Sequence, residues 1–169
     1  MSLFFVLSWT LWFLRLITEK KIQDLIDEVL APEQFIVALD IQLGNKIYIE
    51  LDNLDKATSI TDCIKMSRQV EHNLDRETED FSLEVTSPGL DKPFRVVKQY
   101  IKNIGRPVIV RRIEGEKLEG TLLVAEENHI IIETKEKKRI EGRKAKEWVI
   151  EQVNIPMSEI KETLVKIVF

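Results

Sequence analysis

Reactive side chains are scarce in this chain: of 169 residues one is cysteine, Cys63, and two are histidine, His72 and His129. A single thiol excludes an intramolecular disulfide framework and fits a reducing compartment, so the cytoplasm is the expected location. Cys63 and His72 share one helical segment, about 13 Å apart along its axis and half a turn out of phase, which excludes a nucleophile and base pair within one copy. No paired His/Cys spacing suits zinc. There is no Gly-rich loop ending in Lys-Ser/Thr to cradle phosphate, no strained nucleophile turn and no internal repeat. No catalytic, cofactor-binding or metal-ligating residue is therefore assigned. A non-enzyme without a cofactor or small-molecule substrate is expected.

A long hydrophobic run is also missing. The most apolar stretch, Leu3 to Ile17, has 15 residues interrupted by Arg15, or about 22 Å as a helix against a hydrocarbon core of about 30 Å. It has no basic segment ahead of it and no small-x-small cleavage site behind it, so it is a poor signal peptide. Residues 1–17 are set apart as a hydrophobic leader with three readings: an upstream extension without a role of its own, a segment packed on a hydrophobic groove, or a membrane contact. The first is preferred, with a start codon assigned too early as its origin.

What the chain does have is enough apolar content to fold, 44% against 32% charged, and an uneven charge. From Thr18 to Leu90 there are 7 Lys and Arg against 16 Asp and Glu, a net of −9; from Asp91 to Phe169 there are 17 against 13, a net of +4. The sign changes inside LEVTSPGLDKPF, Leu83 to Phe94, where an alternating strand breaks at Ser87-Pro88-Gly89. A boundary is expected there, with domains at 18–90 and 91–169. The acidic half suits a basic protein and the basic half suits RNA.

Periodicity predicts an α+β protein. Ile22, Leu25, Ile26, Val29 and Leu30 mark a first helix with Thr18 as N-cap. Strands from Phe35 and Lys46 follow, joined at Gly44-Asn45, the second with one buried face. A second helix over Thr61 to Asp75 carries Ile60, Ile64, Ser67, Val70 and Leu74 on its inner stripe, and a third strand starts at Asp80. The first domain thus reads αββαβ, a helix pair on a small sheet. Ser87-Pro88-Gly89-Leu90 fits a type II turn, with glycine at positive φ. A short linker helix from Arg95 to Asn103 leads into five short strands with a helical turn at Pro156 to Ile160. That pattern suggests an SH3-like (Sm-like) small β-barrel, which removes sheet edges by closure.

Two charged sets are binding candidates. Lys135, Lys137, Lys138, Arg139, Arg143, Lys144 and Lys146 crowd one segment with only two acids, read as a solvated connection that Lys98, Lys102, Arg106, Arg111 and Arg112 extend into a positive surface for an RNA backbone. Trp148 and Tyr100 are expected in the core, leaving no aromatics for base stacking, so the surface would read backbone shape. Asp75, Glu77, Glu79 and Asp80 form an acidic loop, a solvated feature in preference to a metal site and a candidate contact for basic protein.

The stretch LEVTSPGLDKPF resembles the signature of the ribosome maturation factor RimP family, at Val85, Ser87, Pro88, Gly89, Leu90, Asp91, Lys92 and Pro93. TDCIKMSRQVEHNLD is similar to that family's second helix through Asp62, Cys63, Ser67 and Arg68, and PMSEIKETLVKIVF is similar to its end. The resemblance covers about Thr18 to Phe169. It implies a non-enzymatic, cytoplasmic assembly factor that binds the immature small (30S) ribosomal subunit, supports rRNA maturation and assists entry of a basic ribosomal protein near the decoding centre. A monomer is expected and membrane attachment is not. The alternatives are a general RNA-binding barrel protein and a membrane-tethered adaptor using the leader.

Overall fold

The computed structural model describes the backbone of residues 17–139 and 146–167, with side chains at 17–137 and 148–167. Apart from Ile17, the leader lies outside the described residues. The chain divides into two compact units, with the division between Ser87 and Pro88. No helix among the described residues is long and apolar enough to cross a membrane.

The first unit is built from α1 (Glu19–Asp27), β1 (Gln34–Gln42), β2 (Lys46–Asn53), α2 (Ile60–His72) and β3 (Ser82–Thr86). Thr18 starts α1 by accepting the Lys21 N–H on its hydroxyl at 3.2 Å, satisfying one of the unpaired donors of a first helical turn. Ser59 and Asp62 form a reciprocal capping box on α2: the Ser59 hydroxyl accepts from Asp62 N at 3.1 Å and the Asp62 carboxylate from Ser59 N at 2.9 Å. The carboxylate also accepts from the Ser59 hydroxyl at 2.7 Å, and that bond first, with the one from Ser59 N, holds the Asp62 carboxyl below the usual range. Leu43, Gly44 and Asn45 turn β1 back onto β2, with Gly44 at φ +78° and Asn45 at φ +52°. Strand β3 then returns parallel to β2 through the α2 crossover, giving sheet order β1-β2-β3.

One apolar cluster joins Ile22 and Ile26 of α1, Met66 and Val70 of α2, and Ile47, Ile49 and Leu51 of β2. Ile17, counted with the leader in the sequence, is buried in it, and its N–H donates to Glu79 Oε2 at 2.8 Å.

Two expectations for this unit fail. Ile60 and Ile64 are not on the buried stripe of α2: Ile60 is 81% exposed and Ile64 46%, because Met66, Val70 and Leu74 carry the packing. The displaced pair lines a shallow groove of about 500 Å³ with Cys63, Leu83 and Val85. Nor is β2 buried on one face only, since Glu50 is 2% and Asp52 5% exposed. Asp52 and Asn53 turn inward to hold the loop before α2: Asp52 Oδ1 accepts from Asn53 N at 2.8 Å and from Thr58 Oγ1 at 3.2 Å, and Asn53 Oδ1 from Asp55 N at 3.0 Å.

The second unit contains α3 (Val97–Lys102), β4 (Pro107–Arg112), β5 (Lys117–Ala125), β6 (His129–Arg139), β7 (Lys146–Pro156), a 3-10 turn (Met157–Glu159) and β8 (Ile160–Val165). Its core is Tyr100, Val108, Val110, Leu122, Ile130, Ile132 and Ile155. The Tyr100 ring meets Phe94 edge-on at 4.9 Å, and its hydroxyl donates to Thr163 Oγ1 at 3.2 Å.

The five strands do not close into a barrel as expected. They lie in the order β7-β6-β5-β4-β8, leaving β7 and β8 as edges among the described residues. At the 3-10 turn, Glu159 O accepts from Ile113 N at 2.9 Å, and Glu159 Oε2 from Arg112 Nη2 at 2.6 Å. That tie anchors the start of β8 beside the end of β4, along which it runs antiparallel. Of the segment expected as a charged connection from Glu136 to Lys146, residues 136–139 and 146 are strand, and residues 140–145 lie outside the described residues. Strand β5 pairs with β6 only as far as Gly120 opposite Thr134, whereas β6 and β7 continue together to Arg139 opposite Lys146, as a two-stranded ribbon.

Candidate functional site

The turn that marks the division is not type II. Gly89 is absent from the positive-φ residues, and the hydrogen bond closes two residues later, from Lys92 N to Gly89 O at 3.1 Å. Glycine serves close approach here, since a Cβ at Gly89 would sit 2.5 Å from Asp91 Oδ1.

The acidic loop is an ordered construction. The Asp75 carboxylate accepts from Glu77 N at 3.0 Å and from the Thr78 hydroxyl. Those bonds, the Thr78 one foremost, hold its carboxyl below the usual range. Glu79 accepts from Ile17 N and from Asn45 Nδ2 at 2.9 Å, fastening the loop to the β1–β2 turn. Asp80 Oδ1 lies 3.7 Å from Arg76, and the same guanidinium sits 4.2 Å from the Phe81 ring centroid. Glu77 and Asp80 face solvent. Of the four candidates, Asp75 and Glu79 are engaged in holding the loop, and Asp80 Oδ1 accepts from Phe81 N at 3.0 Å.

The basic candidates separate into groups. Arg111 pairs with Glu162 at 2.5 Å, and Arg112 with Glu116 at 2.8 Å and Glu159 at 2.6 Å. Arg111 is matched across strands by Glu162 of β8, and Arg112 by acids of the β4–β5 turn and the 3-10 turn, pairings invisible to a charge count. Lys98 and Arg106 are exposed and Lys102 half-buried, on and just after α3. Lys138, Arg139 and Lys146 occupy strand positions on the ribbon, and Arg143 and Lys144 fall outside the described residues.

Lys117 and Lys166 are likewise engaged, at 2.6 and 2.7 Å from Glu119. The two ammonium groups bring the Glu119 carboxyl from 4.5 down to about 2. A depressed carboxylate pKa stabilises the fold above the unfolded value and loses that contribution as pH falls through the folded one. The expected acid-labile window is therefore between 4.5 and about 2, with a small effect because the pair is on the surface. Carboxyl carbon titration by NMR should place the Glu119 midpoint near the lower figure. A midpoint near the upper one would mean that the pairs do not persist in solution.

Lys135 and Lys137 differ from the rest in standing beside an aromatic. Trp148, expected in the core, is 58% exposed, with Lys137 Nζ 4.8 Å and Lys135 Nζ 5.1 Å from its ring centroid. The signal that would have found it is period 2. Along β7, Trp148 and Ile150 are in phase with Gln152 and Asn154, while Val149 alternates with them and leads to Val153 and the buried Ile155. Cys63 is a half-buried thiol whose pKa burial pushes up, which disfavours the reactive thiolate. Among the described residues, no group of three or more His, Cys, Asp or Glu side chains is placed to hold a metal ion.

The similarity to known proteins is at the level of family. Residues 25–91 match the family model for the RimP N-terminal domain. Among curated proteins, the ribosome maturation factor RimP of Christiangramia forsetii is 42% identical over 153 residues, 89% of this chain and 99% of that protein. That of Flavobacterium psychrophilum is 37% identical over 89% of this chain and 98% of its own length. That of Porphyromonas gingivalis is 33% identical over 78% of this chain and 86% of its own. With similarity running through both units at these identities, the chain belongs to the ribosome maturation factor RimP family.

Proposed function

We propose that this chain works in ribosome maturation as a non-catalytic cytoplasmic factor that associates, as a monomer, with the immature small subunit. The carrying observation is the near full-length similarity to proteins named ribosome maturation factors. The division of labour rests on charge. Pro88, Gly89 and Leu90 are uncharged and Arg15 adds one positive charge to the first unit, so the two units, Met1–Ser87 and Pro88–Phe169, carry net charges of −8 and +4. Opposite potentials favour opposite partners. The acidic unit, with Glu77 and Asp80 outermost on its loop, meets a basic ribosomal protein. The basic unit meets rRNA through Lys98, Lys102, Arg106 and the β6–β7 ribbon. Ser87 to Pro93 joins the two as a short connector. An SH3-like lineage for the second unit is compatible with its strand order.

Sedimentation of cell extract tests this reading. The chain is expected to travel with free small subunits and their precursors and to be absent from translating ribosomes. Equal association with translating particles, or with none, would overturn it.

A further inference from the structure

Trp148 and Ile150 are each 58% exposed, on the face of β7 opposite the side that contributes Ile155 to the core. The register sets Lys137 directly across from Trp148 and Lys135 across from Ile150. This part of β6 has no β5 partner, because that pairing stops at Thr134. A large apolar ring thus stands in solvent on a ribbon, with two ammonium groups about 5 Å from its centroid and no sheet neighbour on the β5 side. Burial of a core does not account for its place.

The magnitudes favour a planar ligand. A lysine over an exposed indole is held by roughly two- to fivefold, whereas stacking one nucleobase on an aromatic is worth roughly five- to hundredfold in affinity. A base therefore displaces the lysine heads, and their flexible stems let the ammonium groups reach the flanking phosphates. Paired bases inside an A-form duplex do not offer their faces. We infer that Trp148, with Lys135 and Lys137, is a stacking platform for an unpaired base, so that this face of the second unit takes single-stranded RNA in preference to duplex. The inference rests on the reading that the second unit meets rRNA, and adds the state of the RNA and the residue that reads it.

The test uses the full chain and fluorescence anisotropy with a labelled 12-nucleotide single strand, a hairpin-closed duplex of similar length and a glutamate-rich peptide. The single strand is expected to bind more tightly than the duplex. Trp148→Ala should weaken single-strand binding roughly five- to hundredfold with duplex binding changed less than about twofold, and Trp148→Phe should restore most of the loss. Changing Lys135→Gln and Lys137→Gln together should flatten the single-strand salt slope by about 1.4, at about 0.7 per phosphate contact. A second readout needs no mutation: a photoreactive base in the single strand should cross-link to the β7 peptide containing Trp148. Unchanged single-strand affinity in Trp148→Ala, or cross-links only elsewhere, overturns this inference while leaving RNA binding by the second unit standing. An unmutated chain that binds neither RNA overturns both. Binding of the glutamate-rich peptide that depends on Trp148, without single-strand binding, assigns the platform to acidic protein and also overturns it.

Discussion

Ile49→Ala should destabilise the first unit by about 2–5 kcal/mol, the range for truncating a fully buried isoleucine when the surroundings relax only in part. Ile49 is fully buried on β2, the middle strand of its sheet, within the cluster that joins both helices to that strand. Its removal takes contacts from all of these at once. The matched control is Ile60→Ala, the same chemical change at a residue 81% exposed, which should stay within about 0.5 kcal/mol. Urea unfolding followed by amide exchange in β2 reads both. Equal effects would mean that the α2 stripe is packed as its sequence periodicity suggests and not as the structure has it.

The second large effect is expected at Gly120. Here β5 runs against β6, with Gly120 opposite Thr134. A Cβ at Gly120 would press on the Glu133 carbonyl oxygen and lie 2.9 Å from the Glu133 carbonyl carbon. The obstacle is backbone in a paired strand, so it yields only by shifting the ladder. Gly120→Ala should therefore cost about 1–3 kcal/mol, as overpacking does, and speed amide exchange along the β5–β6 pairing first. Alanine at Gly115, where φ is +95° and its added Cβ would meet nothing within 4 Å beyond its chain neighbours, should be costly for a different reason, strain in its own backbone. The β5–β6 amides would then keep their protection. Loss of protection in both variants alike would refute the steric account.

Helix and strand identity was legible where one face is apolar and the other polar. Thr18 with Ile22 and Ile26, the Gly44-Asn45 hairpin and the division at the Ser87-Pro88 stretch all follow from local chemistry. The failures share a cause. Ile60 and Ile64 fit a helical stripe as well as Met66 and Val70 do, and only the angle at which α2 meets the sheet selects between the sets. The proline and glycine of the connecting turn predicted positive φ at Gly89, but the Asp91 carboxylate lies close to that backbone and the turn closes at Lys92. Trp148, expected in the core, follows instead the alternation of its own strand, in phase with Gln152 and Asn154.

On its own, the order of residues determined which segments become helix or strand, where the charge reverses sign and which family signature the chain carries. These are properties of neighbours within a few positions or of simple counts. Which arginines remain available for a partner, how far the β6–β7 ribbon extends and whether the sheet closes were decided by tertiary structure. Each depends on pairing between residues up to about fifty positions apart, such as Arg111 with Glu162, and on the free energy of bringing them together, which no local pattern encodes.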